Sequence, residues 1–354
     1  PACGRITSLQ CLHTSQPARD LLVLCTERRQ LAVLRYRKGR AAVHALGSLA
    51  LVGGQPLDQP PLCVCDPLGR AVAAYLYEGL LQVVATGKVT SSAVGVQAAS
   101  SKVPGCTGNN SIDLSGSMFT SCVAEPRVLD MTFLHEEAHG NPRIATLHVE
   151  CHGQPRRLCI WDVDLASRSL KPVLAADTSP FVRGRAMLLR AVPLPIGGVL
   201  ALGGFSVSHH DSCGRLAASA PGGPRDMVAA AQIPSGELRW LIGEPEGGLW
   251  LLQVGSAKLE GSSSQVKRPR YNITPQLMLE RLGLTSPPRA LVWLDERHVF
   301  VGSCISDSQL LQLWPVSTTG DRFLIEDTWP NLGPVIDFCV ADVDGQGQTQ
   351  VVTC

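Results

Sequence analysis

The chain has 354 residues, 45% of them hydrophobic and 17% charged, with 31 Lys plus Arg against 30 Asp plus Glu. That is enough apolar material for one large all-β domain or two ordinary ones, while a formal charge of +1 excludes the global field that holds a phosphate backbone. No apolar run reaches the roughly 18–20 residues that a membrane-spanning helix needs.

In chain order, Leu21-Leu22-Val23-Leu24-Cys25 and Leu31-Ala32-Val33-Leu34-Arg35-Tyr36 flank a polar turn over 26–30 and read as a hairpin. Residues 62–84 read as three short strands separated by Asp66-Pro67-Leu68-Gly69-Arg70 and Tyr77-Glu78-Gly79, where Pro and Gly supply the fixed and positive φ angles of tight turns. Segment 85–126 is rich in Ser, Gly, Ala and Thr and is expected to be a mobile loop insertion, as is 255–270. Strand–turn–strand units recur at 143–165, 187–210, 237–254 and 289–316. The one short helical expectation is 275–282, where Leu277, Leu279 and Leu282 could line a turn or two. The chain starts at Pro1 and stops in the strand-like Val351-Val352-Thr353-Cys354, so it is expected to be a fragment.

One marker per unit exposes a repeat. Leu31, Leu80, Cys159, Phe205, Leu249 and Leu310 are separated by 49, 79, 46, 44 and 61 residues. Discounting the two insertions brings the long gaps to about 37 and about 45, the length of one propeller blade. Each blade alone exposes an apolar face that its neighbours cover.

Candidate chemistry is sparse. His135-Glu136-Glu137-Ala138-His139 fits the zinc-protease pattern, which requires a helix to bring both imidazoles onto one face. Strand-like residues on both sides, and Gly140-Asn141-Pro142 directly after, make it a polar loop instead. His209-His210 with Cys213, and Cys151-His152 with Cys159, lack the spacing of a structural zinc site. Asp342-Val343-Asp344-Gly345-Gln346-Gly347 lacks the closing glutamate of a calcium loop and reads as a turn. No nucleophile elbow, P-loop or dinucleotide fingerprint is present, so no catalytic, cofactor or metal residue is assigned. Basic residues 267–270 lack interleaved aromatics and read as a solvated loop or an import signal. The 13 cysteines, odd in number and scattered through apolar runs, suit buried free thiols in a reducing compartment. The sequons at Asn109 and Asn272 are common by chance.

Several motifs resemble one family. They are Asp66-Pro67-Leu68-Gly69-Arg70 with Tyr77-Glu78-Gly79-Leu80, Ala191-Val192-Pro193-Leu194-Pro195-Ile196-Gly197-Gly198, and Arg239-Trp240-Leu241-Ile242-Gly243-Glu244-Pro245-Glu246-Gly247. Val299-Phe300-Val301-Gly302-Ser303-Cys304-Ile305-Ser306-Asp307-Ser308-Gln309-Leu310, and Asn331-Leu332-Gly333-Pro334 running through to Cys354, complete the set. In this order they resemble the damage-specific DNA-binding-protein family of large propeller proteins. Splicing-factor 3b and cleavage/polyadenylation-factor subunits share the fold.

The resemblance implies an all-β, WD40-like, seven-bladed β-propeller, with 1–354 supplying most of the first of three propellers. It implies a non-enzymatic, nuclear (and also cytoplasmic) adaptor without cofactor. The first and third propellers form a clasp for propeller-type substrate receptors, a propeller missing here docks a cullin-four ubiquitin-ligase scaffold, and damaged DNA is reached through a receptor in excision repair. By the same resemblance, Cys304, Ile305, Pro334 and Val335 line the clasp. Cys304 stands where the family has arginine, Ile305 for leucine and Ser306 for glycine, so a fork of hydrogen-bond donors is absent. A nucleic-acid-processing scaffold is the alternative from a different class.

Overall fold

The computed structural model describes residues 6–14, 20–37, 40–57, 59, 61–87, 112–123, 127–137, 139–149, 156–174, 181–182, 185–257, 274–314, 322–331, 338–341 and 350–353. They fall into two compact units, Pro1–Leu202 with Ser208–Ser219 and Gly203–Val207 with Ala220–Cys354.

In the first unit, β1 (Ile6–Leu12), β2 (Leu21–Thr26), β3 (Gln30–Arg37) and β4 (Arg40–Ser48) form an antiparallel meander. The second sheet begins with β5 (Leu62–Cys65), β6 (Ala71–Tyr77) and β7 (Leu80–Ala85). Its central strand, Ala-Val-Ala-Ala-Tyr-Leu-Tyr, is buried on both faces. Ala71, Ala73 and Tyr75 enter the core shared with the third sheet, and Val72, Ala74 and Leu76 enter the core shared with the first. This is the period-2 alternation of a strand sandwiched between layers. Each buried Val, Leu or Ile there contributes about 1.5–3 kcal/mol relative to exposure.

Segment 85–126 is not wholly a loop. β8 (Ile112–Asp113) pairs in parallel with β4, and β9 (Met118–Cys122) pairs with β7 as the fourth strand of the second sheet. A Ser- and Gly-rich flank hides β9, and its half-exposed burial pattern carries no core signal. Residues 88–111 and 124–126 lie outside the described residues.

The third sheet is β10 (Val128–Phe133), β11 (Arg143–His148), β12 (Arg156–Asp164) and β13 (Ser169–Pro172), with β14 (Phe181–Val182) also pairing β12. The fourth is β15 (Leu188–Ala191), β16 (Val199–Gly203), β17 (Ser206–His210) and β18 (Leu216–Pro221). Leu134, Leu147, Ile160, Leu189 and Val199 fill the layer between these two sheets.

In the second unit, β19 (Ala229–Pro234), β20 (Leu238–Gly243), β21 (Gly248–Ala257) and β22 (Thr274–Leu284) form one sheet. β23 (Ala290–Trp293), β24 (His298–Gly302), β25 (Ser308–Leu313) and β26 (Phe323–Trp329) form the next, and Leu241, Leu251, Leu282, Val299 and Leu311 join them in one core. β27 (Phe338–Ala341) and β28 (Gln350–Thr353) make a two-stranded sheet. The helical expectation for 275–282 is wrong: these residues lie in β22. A bulge pairs Leu249 with Gly283 but Trp250 with Arg281, which turns Leu282 inward out of phase with Leu277 and Leu279. The helix-like spacing came from that extra residue.

Five of the six markers fall in the third strand of their sheet's path, and Phe205 sits one residue before β17, the third strand of its own. The described cysteines are all free, and Cys25, Cys63 and Cys159 are buried as expected. Cys11, Cys122 and Cys304 are exposed, so burial does not account for every thiol. Among the described residues no helix is long and apolar enough to cross a membrane.

Candidate partner-binding site

Residues 303–307 connect β24 to β25 and carry Cys304 and Ile305. Both are exposed, Ile305 to 67%. Small polar side chains hold the loop from inside. Ser306 N donates to Ser303 Oγ at 3.1 Å, and Ser303 N donates to Ser308 Oγ at 3.3 Å. Gln309 Oε1 accepts from Ser286 N at 2.9 Å, fixing the start of β25.

The strongest tie comes from Asn331, just beyond β26. Its side-chain amide donates to Ser303 O at 3.1 Å and Ser306 O at 3.2 Å, while its backbone N donates to Asp307 Oδ1 at 3.0 Å. One asparagine thus satisfies two loop carbonyls, as a two-donor amide can. The first residue of the Asn331-Leu332-Gly333-Pro334 motif is thereby joined to the loop bearing Cys304 and Ile305. Pro334 and Val335 lie outside the described residues. Sequence reasoning missed the role of Asn331. An asparagine two residues beyond a strand end, with side-chain groups suited to backbone partners, was the available signal.

The arrangement presents the exposed apolar side chain of Ile305 on a loop held in place by its own hydrogen bonds. In the same unit an open cleft of about 510 Å³ is lined by Ile233, Arg239, Trp293, Asp295 and Trp314. At its edge the Arg239 guanidinium makes a cation–π contact with Trp314, 5.8 Å from the ring centroid.

The other candidates resolve structurally. His135, Glu136 and Glu137 run through a non-helical connection between β10 and β11, closed where Leu134 N donates to Arg143 O at 2.9 Å. Glu136 lies 3.5 Å from Arg143 Nη1, and burial pushes the His135 imidazole below its ordinary range. His209 and His210 are buried in β17 and bonded to the backbone of Gly197 and Gly214, at 2.8 and 3.0 Å. Cys151, His152, 267–270, 342–347, Asn109 and Asn272 lie outside the described residues.

Residues 2–332 match the family model described as "RSE1/DDB1/CPSF1 first beta-propeller". The chain is 28% identical over 361 residues to "DNA damage-binding protein 1" of Solanum lycopersicum, covering 100% of this chain and 29% of that relative. It is 29% identical over 362 residues to "DNA damage-binding protein 1a" of Arabidopsis thaliana, with the same coverage of 100% and 29%. The chain therefore spans 29% of the length of these curated relatives.

Proposed function

Because this chain belongs to the RSE1/DDB1/CPSF1 first-propeller family, we propose that it is a receptor-binding blade assembly of an adaptor that links propeller-type substrate receptors to a cullin-four ubiquitin ligase. The family is one of non-catalytic scaffold propellers, and its first propeller is the all-β fold to which the described sheets belong as blades. Protein partners are what such a scaffold serves. On this reading the protein works in the nucleus and also in the cytoplasm. It reaches ultraviolet-damaged DNA through a receptor during excision repair, and docks the cullin through a propeller outside this chain.

The observation that carries the reading is Ile305, 67% exposed at the tip of a loop tied down by Asn331. A rigid apolar tip suits the apolar face of an inserted receptor helix. With Cys304 in place of a guanidinium, the loop recognises its partner by shape and apolar contact rather than by a charged fork. By the family resemblance, Pro334 and Val335, outside the described residues, belong to the same clasp.

The test is affinity purification of the intact protein from nuclear extract, wild type against Ile305→Glu. Recovery of a cullin-four scaffold with several propeller-type receptors, and loss of the receptors alone in the variant, supports the adaptor. Recovery of splicing or polyadenylation subunits in place of the cullin moves the function to RNA processing.

A further inference from the structure

The facing ends of β1 and β2 bring together three metal-ligand side chains that no motif spacing announces. Leu12 pairs with Leu21 and Cys11 with Leu22 across the two strands. Leu12 is fully buried, so Cys11 and His13, each one residue away, share the opposite, outward face. Asp20 directly precedes Leu21 and meets His13 across the strand ends. Cys11 Sγ lies 4.0 Å from His13 Nδ1 and 3.9 Å from Asp20 Oδ2, and His13 Nδ1 lies 2.8 Å from Asp20 Oδ2. All three donor atoms fall within 4.8 Å of one another.

Two features distinguish this from an ordinary surface ion pair. Asp20 Oδ1 is engaged by Thr14 N at 2.8 Å, which orients the carboxylate and turns Oδ2 toward the imidazole and thiol. The third member is a thiol, which an Asp–His pair does not need for its own stability. Tetrahedral zinc with sulfur at about 2.3 Å and nitrogen or oxygen at about 2.0–2.2 Å separates its ligands by roughly 3.3–3.6 Å. The observed separations bracket that range, so side-chain shifts of a few tenths of an ångström would close the site.

We propose that Cys11, His13 and Asp20 form a surface site for a zinc-class divalent transition metal, with three protein ligands and a fourth position open to water. Thiolate, imidazole and carboxylate together favour zinc over calcium or magnesium, which take oxygen donors. In the metal-free state burial and the Asp20 charge push the Cys11 thiol above its ordinary range. A bound dication reverses this by stabilising the thiolate, so uptake releases a proton. Cys65, its own thiol pushed up to about 12 by burial and then by Cys11, is the nearby thiol of the neighbouring strand.

The experiment is titration of the intact protein with Co²⁺ followed optically, then displacement by Zn²⁺ against a chromophoric chelator. The expected result is one equivalent of Co²⁺ with a thiolate-to-cobalt charge-transfer band. That band is lost in Cys11→Ser and retained in Cys122→Ser, an exposed thiol elsewhere. His13→Ala and Asp20→Ala should each weaken Zn²⁺ by more than the roughly 10–100-fold that removing an outer-shell partner costs. Binding without a thiolate band, or an affinity unchanged by Cys11→Ser, overturns the site. So does loss in Cys11→Ser alone with His13→Ala and Asp20→Ala unaffected, which would mark a single reactive thiol. Unchanged thermal unfolding of each apo variant separates loss of the site from loss of the fold.

Discussion

Asn331 donates from its side-chain amide to the carbonyl of Ser306 at 3.2 Å, and this bond, with its twin to Ser303, makes the 303–307 loop one hydrogen-bonded unit. Asn331→Ala strips both carbonyls of their partner. The expected cost is about 1–2 kcal/mol, felt locally. Amide hydrogen exchange at residues 304–307 should accelerate while the strands keep their protection. An unchanged exchange rate in the loop would show that Asn331 does not hold it.

Arg70 grips the fully buried carboxylate of Asp66 with Nε to Oδ2 at 2.8 Å and Nη2 to Oδ1 at 2.9 Å, and reaches Gly140 O at 2.6 Å. Removing the guanidinium leaves a buried charge with too few donors, so Arg70→Ala should cost about 3–5 kcal/mol. Arg70→Lys should recover only part of this, because an ammonium cannot make the fork. Asp66→Asn should cost less than Arg70→Ala, since Arg70 keeps the Gly140 carbonyl and some solvent. Urea unfolding midpoints rank the three, and equal midpoints for Ala and Lys would refute the fork argument.

Gly69 and Gly53 both have positive φ, 69° and 78°, yet their surroundings differ. A Cβ on Gly69 would overlap the backbone oxygen of His13, whereas one on Gly53 would meet nothing within 4 Å. Gly53→Ala should therefore cost only the left-handed penalty of about 1–2 kcal/mol. Gly69→Ala should cost more, because backbone cannot move aside as a side chain can. Similar thermal shifts for the two variants would mean that conformation alone, and not close approach, requires glycine in the Asp66-Pro67-Leu68-Gly69-Arg70 turn.

These turns and the inner strands were legible in the sequence because they carry strong physical signals. Strands such as β6 and β16 are apolar throughout, and the glycines around them mark the turns. The outer strands were harder to see. β18 and β26 are largely exposed and β9 is half-exposed, and a strand without a buried face has no pattern to read. β22 was mistaken for a helical turn because its bulge shifts the apolar phase by one residue. At the candidate site, Cys304 and Ile305 were reached through family resemblance, since no periodicity singles out a loop tip. Asn331 and the Cys11, His13 and Asp20 group depend on contacts between residues 24 to 28 apart in one case, and across a strand connection in the other. Neither is a spacing rule.

His209 and His210 should make stability depend on pH below the ordinary imidazole value of 6.5. They are 2% and 1% exposed, and burial lowers both pKa values. His209 Nε2 donates to Gly197 O, leaving Nδ1 buried with no partner among the described residues. His210 Nδ1 donates to Gly214 O, and Nε2 accepts from the Ser208 hydroxyl at 3.1 Å. Both rings are therefore held neutral. The unfolded chain takes up protons near pH 6.5 and the folded chain only at lower pH. Stability is thus fully present above 6.5 and falls as pH drops below it, by at most about 1.4 kcal/mol per pH unit for each ring. His298 acts in the opposite sense: Asp295 and Glu326 raise its pKa, so its contribution is present below 6.5 and lost as pH rises through the raised value. The two effects occupy opposite sides of 6.5. His135, also lowered by burial, adds slope of the same sign as the buried pair. The double variant His209→Gln, His210→Asn keeps a donor for each carbonyl but cannot titrate. Urea midpoints measured between about pH 5 and 6.5, above the main carboxylate range, should fall with pH in the wild type and flatten in the variant. An equal slope in both would assign the acid sensitivity to other groups.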